Sequence, residues 1–323
     1  MNTRLLDILS DGRFHSGDSL GAAIGLTRGA VWKQLERLER ETGLQVQRVR
    51  GKGYRLEAPI SLLDRALLEK AATELGYGIY LLPEVDSTSS EALRLLQARQ
   101  AVAPFVVLAE TQTRGRGRRG RTWQSPVAEN LYLSIAYPVT GGLAQLQGAS
   151  LCVGLAVLDA LGPLELADVG LKWPNDILVD GRKLGGVLLE LVGDPQDICH
   201  VVIGIGLNVN SRLLDAVQQP WTSLYRVLGQ RIDRSELALC LMRSLARYWG
   251  VQQREGFGAL REEWEAAHLW QGRRCVLSSE GGRAVEGVVL GVTNDGSLRL
   301  DLAQAGEQAF CAGELSLRLA DDS

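Results

Sequence analysis

The sequence predicts an α+β protein of three units: a small helical module closed by a hairpin, a central α/β unit on a mixed sheet, and a short all-β unit. Three observations predict it. Residues 1–55 hold three helical patterns with their own cap and stop residues, followed by two short strand patterns around Gly51-Lys52-Gly53. The next two hundred or so residues alternate apolar strand runs with longer helical patterns. From Arg273 onward only short strand patterns remain, broken by Gly-Gly, Asn-Asp-Gly and Ala-Gly turns, which suits a small antiparallel barrel or sandwich. The expected boundaries are 1–58, 60–270 and 271–323, with Ala58-Pro59-Ile60 as a linker.

Composition narrows the function classes. With 323 residues, 46% hydrophobic and 23% charged, the chain is long enough for several buried cores and ordinary for a globular protein. No apolar run of spanning length and no apolar signal segment at the start stand out in the sequence, which predicts a cytoplasmic protein with no membrane partner. Cys152, Cys199, Cys240, Cys275 and Cys311 are widely separated, and His15, His200 and His268 are scattered. That spacing fits neither a disulfide framework nor a protein-held metal site. The net charge of −3 hides an asymmetry: ten Lys/Arg against six Asp/Glu in residues 1–55 give +4, leaving −7 elsewhere. A basic module on an acidic body points to a polyanion partner for the module.

Leu5, Leu6 and Leu9 share one face of a helix over residues 3–10. Ser16 caps a second helix through Ala23, with Gly25 as its stop. Thr27 caps a third that runs to about Thr42 and Gly43; its apolar face is Ala30, Val31, Leu35 and Leu38. Its open face carries Arg28, Trp32, Lys33, Glu36 and Arg37. Two helices joined by a tight Gly-Leu turn, the second with a basic leading end, form a helix-turn-helix pattern. The hairpin Val46–Val49 and Tyr54–Leu56, with Lys52 at its tip, makes it a winged one. A plain three-helix cap with a solvated face is the bland alternative; the +4 balance and the wing favour DNA, through Thr27, Arg28, Lys33, Arg37 and Lys52.

In the central unit a helix is expected at 62–75 and a strand at 79–82. Asp86 to Glu91 is a dense capping sequence that opens a helix through Ala98. Phe105–Ala109 reads as a fully buried strand, Leu131–Ala136 as another, and Leu146–Leu161 as a buried apolar helix. Val201–Ile205 is a strand leading into Gly206-Leu207-Asn208-Val209-Asn210, and helices at 234–249 and 257–268 close the unit.

Two stretches stand out. Between Gln112 and Pro126, five arginines (114, 116, 118, 119, 121) fall within eight residues, interrupted by Gly115, Gly117 and Gly120. Glycine allows close backbone approach, the like charges repel, and the guanidinium fork suits carboxylate or phosphate. The stretch reads as an anion-binding loop that orders on its ligand, against the alternatives of a solvated basic loop or a nucleic-acid patch. In the second, Lys172-Trp173-Pro174-Asn175-Asp176 leads into Ile177–Val179, and Asp180-Gly181 joins this to Arg182-Lys183-Leu184-Gly185-Gly186. Asp-Gly between apolar runs is a strong hairpin signal, which sets Lys183 just past the turn and leaves Gly185-Gly186 open to close approach. Alone, Lys183 would read as a surface lysine at a hairpin end.

The loop Gly115-Arg116-Gly117-Arg118-Arg119-Gly120-Arg121-x-Trp123, together with Lys172-Trp173-Pro174-Asn175-Asp176 and Arg182 to Gly186, resembles biotin protein ligase. With the helix-turn-helix, nearly the whole chain resembles the bifunctional form, ligase and biotin operon repressor in one. The resemblance implies a class II synthetase-like central domain, an SH3-like C-terminal barrel, and adenylation of biotin by ATP with Mg²⁺ on the triphosphate. Biotin then passes from biotinyl-5′-AMP to a lysine of biotin carboxyl carrier protein. It also implies that biotinyl-AMP promotes a homodimer that binds operator DNA.

The resemblance assigns residues as well. Ser87, Thr88, Ser89, Gln112, Gly115, Arg116, Gly117, Arg118, Trp123, Lys183 and Gly186 would bind biotin and biotinyl-AMP, with Lys183 and Arg118 catalytic. Arg121, Lys172, Asn175, Asp176, Asn208 and Trp221 would hold the nucleotide; for Trp221 an ordinary core position is an equal alternative. Ser89 stands where the family usually has Asn, and Arg114 where a small residue is usual. The chain lacks GxxxxGK[ST], so no P-loop holds the phosphates. A lipoate ligase and a sensor that binds without turnover are the rival readings.

Overall fold

The computed structural model describes residues 2–139, 142–193, 199–214, 217, 219–279, 284–313 and 315–320, and in it the N-terminal helices form where their caps stand. Side-chain oxygens of Asn2, Ser16 and Thr27 accept first-turn N–H groups of α1 (Thr3–Leu9), α2 (Gly17–Ile24) and α3 (Arg28–Thr42). Strands β1 (Val46–Val49) and β2 (Gly53–Leu56) pair antiparallel as the wing. Leu5, Leu6, Leu9, Leu20, Val31, Leu35 and Leu38 bury against one another, and the same cluster takes in Ile60, Val127 and Ala128. The Ile60 N–H also donates to the Ser10 carbonyl at 3.2 Å. The expected linker is therefore docked, and the module packs on residues just beyond the Arg-Gly loop.

The central unit runs α4 (Arg65–Glu74), β3 (Gly78–Leu82), α5 (Thr88–Gln97), β4 (Phe105–Ala109), β5 (Leu131–Val139) and α6 (Ala149–Leu161). It continues through β6 (Val169–Lys172), β7 (Asp176–Val179), β8 (Arg182–Gly193), β9 (Cys199–Leu207), α7 (Leu224–Leu228), α8 (Arg234–Glu255) and α9 (Arg261–Ala267). Helix α4 starts later than Leu62 because Asp64 is its cap, while the Leu63 N–H turns away to the Glu110 carboxylate. Strand β6 was not foreseen; Trp173-Pro174-Asn175 is its tight connection to β7. Asp180 and Gly181 take φ of 50° and 68°, the geometry an Asp-Gly hairpin turn needs.

Seven strands align in the order β3-β4-β5-β9-β8-β7-β6, with only β3 and β4 parallel. Alternation divides the two faces. Leu131, Leu133, Ile135, Ile203, Ile205 and Leu207 meet α6 and α8 in the main core, whereas Phe105, Val107, Ala136 and Val202 meet α5. The segment Ala144–Leu164 has a mean hydropathy of 1.4 and is long enough to span a membrane, contrary to the sequence reading. Here its helical part is α6, a core helix packed against α8 and the sheet, with ten of its thirteen residues buried.

The last unit is a five-stranded antiparallel sheet of β10 (Arg274–Ser278), β11 (Val285–Val292), β12 (Leu298–Leu302), β13 (Gly306–Phe310) and β14 (Ser316–Leu319). Its order is β13-β12-β11-β10-β14, and the expected Gly281-Gly282 turn lies outside the described residues. Its inner side chains, among them Cys275, Leu277, Val289 and Leu300, share the central core.

Candidate active site

The α5 face of the sheet becomes polar and shallow at one end. There Ser134, Gly204, Gly186 and Gly206 occupy neighbouring positions on β5, β9 and β8. A Cβ on Gly204 would strike the Ser89 hydroxyl, and one on Gly206 would strike the Trp123 indole. The glycines let helix α5 and the loop descend onto the strands.

The first turn of α5 supplies the hydroxyls. Ser87 is its cap. Asp86 just before it is gripped by Arg94 at 2.7 and 2.8 Å, which holds its carboxyl at about 2. Thr88 donates its N–H to Gln112 Oε1 at 2.9 Å, and its Oγ1 lies 2.8 Å from Ser134 Oγ. Ser89 Oγ lies 3.0 Å from the same Ser134 oxygen, and Gln112 Nε2 donates to Ser125 Oγ at 2.9 Å. Ser87, Thr88, Ser89 and Ser134 are all buried. The result is a preformed patch of donors and acceptors able to read a small polar head group. Sequence reading missed Ser134, Gly204 and Gly206; the one available signal was a serine inside the apolar run Leu131–Ala136.

The loop folds back over this patch. Trp123 N–H donates to the Gly115 carbonyl at 2.9 Å, and Arg116 bridges Thr122. Gly115 faces the Trp123 carbonyl so closely that a Cβ could not fit. Trp123 Nε1 is buried without a partner among the described residues, and Lys183 Nζ sits 5.7 Å from the centre of its ring. Beside the patch is a cavity of about 440 Å³ lined by Gln112, Gly115, Trp123, Ser125 and Leu214 among others.

Two lysines converge on one carboxylate. Lys183 Nζ lies 2.6 Å from Asp176 Oδ1 and Lys172 Nζ 3.6 Å from Asp176 Oδ2. The Lys172 ammonium also stands 4.8 Å from the Trp270 ring centre, and burial pulls its pKa down. Main-chain bonds join Lys183 to Pro220 and Thr222, so Trp221 runs alongside it. Trp221 is half-buried under the Arg226 guanidinium at 4.6 Å and is not a core residue.

The arginines are not left to repel one another. Arg116 pairs with Glu190 at 2.7 Å, whose other oxygen is buried without a partner among the described residues. Arg118 donates to Asn175 Oδ1 at 3.1 Å and to the Ala312 and Gly313 carbonyls, which lie between β13 and β14 of the last unit. Burial lowers its pKa. A second cavity, of about 340 Å³, lies between Arg118, the start of α6 and residues 295–297 and 311–313. Arg121 and Arg114 are exposed, and Gly117 closes the short turn by donating to the Arg121 carbonyl.

The structure thus gathers Ser87, Thr88, Ser89, Gln112, Gly115, Trp123, Lys183 and Gly186 in one place. Asn175 and Asn208 carry a different load. Asn175 clips the β6–β7 connection to Val187 at both main-chain atoms, and Asn208 Nδ2 donates to Thr222 O at 3.0 Å. In the N-terminal module Arg28, Lys33 and Lys52 are exposed, Thr27 is the cap of α3, and Arg37 is paired with Glu41 at 2.6 Å. Among the described residues no three His, Cys, Asp or Glu side chains cluster as a metal cage.

Comparison with known proteins agrees with this geometry. Residues 81–208 match the biotin/lipoate A/B protein ligase family, and residues 3–55 match a helix-turn-helix domain. The chain is 36% identical to the bifunctional ligase/repressor BirA of Escherichia coli, over 98% of this chain and 97% of that protein. It is 36% identical to a biotin–[acetyl-CoA-carboxylase] ligase of Mycobacterium tuberculosis, over 69% of this chain and 82% of that one. Among solved structures, the Aquifex aeolicus biotin protein ligase in complex with biotin and ATP superposes with a TM-score of 0.64 at 30% identity, covering 75% of this chain and 99% of that one.

Proposed function

The chain belongs to the biotin protein ligase family, in its bifunctional ligase/repressor form, and from that premise we propose a division of labour among its residues. The protein is a biotin ligase and a transcriptional repressor. In our reading it condenses biotin with ATP to biotinyl-5′-AMP and pyrophosphate, then transfers biotin to a lysine of biotin carboxyl carrier protein. It works in the cytoplasm. The observation that carries the reading is Lys183 poised over Trp123, next to the buried hydroxyl patch.

Carboxylate adenylation needs no general base, because biotin is already ionised at neutral pH. The barrier is repulsion between the carboxylate and the α-phosphate, and fixed cations aimed at the developing phosphorane charge relieve it. The hydroxyl patch orients the head of biotin, which fixes where its carboxylate ends. Lys183 then exchanges Asp176 for the α-phosphate, and Lys172 keeps Asp176 balanced. Arg118 stands where it can leave the Ala312 and Gly313 carbonyls and close the loop over the intermediate. Trp221 and Arg226 form a flat face for adenine, and Arg121 sits at the entrance. Among the described residues Asp176 is the carboxylate paired with Lys183, and the site would suit a Mg²⁺ that arrives with the triphosphate, for which Asp176 would be the protein ligand and whose charge would offset that of the phosphates. In the transfer step Asp176, released by Lys183, steers the incoming lysine as it loses its proton.

Biotinylation of carrier protein with biotin, ATP and Mg²⁺ tests the ligase reading. Lipoyl transfer in place of biotinyl, or binding without turnover, would replace it with one of its rivals. We further propose that biotinyl-AMP drives homodimerisation. Strand β7 pairs with β8 only as far as Gly186, so Leu189 to Gly193 are paired with β9 on one side and, among the described residues, have no strand on the other, and Leu191 is 50% exposed. An ordered loop beside such an edge lowers the cost of adding a second sheet. Sedimentation with a non-hydrolysable biotinyl-AMP analogue should show dimer; an unchanged monomer would remove the coupling.

A further inference from the structure

The recognition helix carries a residue that neither its own core nor phosphate binding explains. Trp32 is 45% exposed on α3, and among the described residues it is the one exposed tryptophan. It lies on the stripe Gly29, Trp32, Lys33 and Glu36, spaced i, i+3, i+4 and i+7, and all four are exposed. The opposite stripe, Val31, Leu35 and Leu38, is buried in the module's core. An indole left in water on the outward stripe is an unfavourable arrangement unless a partner covers it.

Gly29 is a second and independent sign. A Cβ there would meet nothing within 4 Å, so no protein contact demands a glycine, and glycine is a poor helix former. The side chain is missing toward the outside, one helical turn ahead of Trp32 and Lys33. That leaves a recess on the leading half of the helix, the part that enters the major groove in helix-turn-helix proteins. Charge says what enters it. Arg28 and Lys33 flank the recess, and the wing brings Arg50 and Lys52, all exposed. Glu36 lies on the trailing side of Trp32, away from Gly29, so the leading half of the helix and the wing present a cationic rim around an apolar centre, which fits duplex DNA: phosphates take the rim, and base edges the centre.

On the repressor reading above, we propose that Trp32 is a specificity-determining residue that packs against the C5-methyl group of a thymine in each operator half-site. The thymine methyl is the apolar feature of the major groove, and side chains with apolar surface read it. Gly29 provides the room for the base pair to approach the indole. Lys33 and Arg28 fix the register without reading sequence.

The test uses the full-length chain with biotin, ATP and Mg²⁺. Binding sites are selected from a random-sequence duplex library, and affinity for the selected duplex is measured by fluorescence anisotropy. Each thymine is then replaced in turn by deoxyuridine, which lacks only the methyl group. Wild type should lose about fourfold in affinity at one thymine per half-site, the worth of one buried methyl. Trp32→Ala should bind thymine and uracil duplexes equally at that position and select a relaxed motif. Trp32→Gln, a better helix former without the apolar surface, should behave the same; carrier biotinylation at wild-type rate shows that both variants are folded. The inference is overturned if wild type is indifferent to every thymine methyl, or if the variants keep the motif and the uracil penalty. If wild type enriches no sequence while still biotinylating carrier, the repressor reading falls and this inference with it.

Discussion

Arg234 and Glu110 make the sharpest stability test. Their side chains are 0% and 9% exposed, and they meet at 2.6 Å. Arg234 also donates to the Asn130 and Ser61 carbonyls at 3.1 and 2.6 Å, while Glu110 accepts the Leu63 N–H at 2.6 Å. One ion pair thus ties the docked linker, the end of β4 and the start of α8. Arg234→Met keeps the apolar bulk but strands the Glu110 charge. Breaking a buried pair from one side costs about 3–5 kcal/mol, a large share of the roughly 5–15 kcal/mol that holds a domain folded. Glu110→Met should cost as much, because it strands Arg234. The double variant should cost far less than the sum, since well-packed apolar groups can replace a buried pair. Urea midpoints followed by tryptophan fluorescence and by circular dichroism measure all three. Glu110 lies two residues before Gln112, so the single variants should also raise KM for biotin more than they lower kcat. Single variants each within about 1 kcal/mol of wild type, or additive losses in the double, would refute the argument.

Other perturbations separate the roles of the site. Lys183→Ala should lower biotin-dependent pyrophosphate exchange by about 10²–10³-fold with little change in stability; near wild-type exchange would take Lys183 out of the reaction. Arg118→Gly removes the bonds to Asn175, Ala312 and Gly313. Biotinyl-AMP should therefore escape and acylate bystander lysines, detectable by streptavidin blotting of added albumin; wild-type levels of stray label would show that the loop is no lid. Deleting residues 1–58 uncovers Val127 and Ala128 beside the loop, so truncation should weaken biotin binding as well as abolish DNA binding. Unchanged calorimetric affinity would show the contact to be idle. His268, stacked on Trp264 at 4.7 Å, has its pKa pushed down to about 4 by burial. Between pH 6.5 and 4 the unfolded chain takes up this proton and the folded chain does not. Stability should fall by up to about 3 kcal/mol across that window as pH drops, and His268→Phe should flatten the slope in urea midpoints.

Local grammar was legible in the sequence because it is written in single residues. Caps at Ser16 and Thr27, the stop at Gly43 and the turn at Asp180-Gly181 stand where the sequence sets them, and the capping stretch Asp86 to Glu91 opens α5 with Ser87 as the cap. The contents of the loop and of the Lys172 to Gly186 stretch were legible too, as motifs. What was hidden is what depends on strand order. Ser134 and Gly204 lie seventy residues apart and meet only because β5 pairs with β9, and Ser89 joins them only because α5 packs on that face. Strand β6 was hidden because four residues before a proline carry too little pattern to separate strand from loop.

The loop shows why the hidden part matters for mechanism. Five arginines between glycines suggest a segment held apart by charge until a ligand comes. In the fold, Arg116 and Arg118 have partners contributed by β8 and by the β13–β14 connection of the last unit, and the residues following the loop pack into the N-terminal module. The loop and the residues directly after it therefore touch all three units. A ligand that draws Arg118 from the Ala312 and Gly313 carbonyls releases a contact to the last unit, while Val127 and Ala128 remain held by the first. If biotinyl-AMP shifts Val127 and Ala128 through the loop, its binding free energy is shared with the position of the DNA-binding module. By reciprocity, fixing that module on DNA must tighten the intermediate by the same factor.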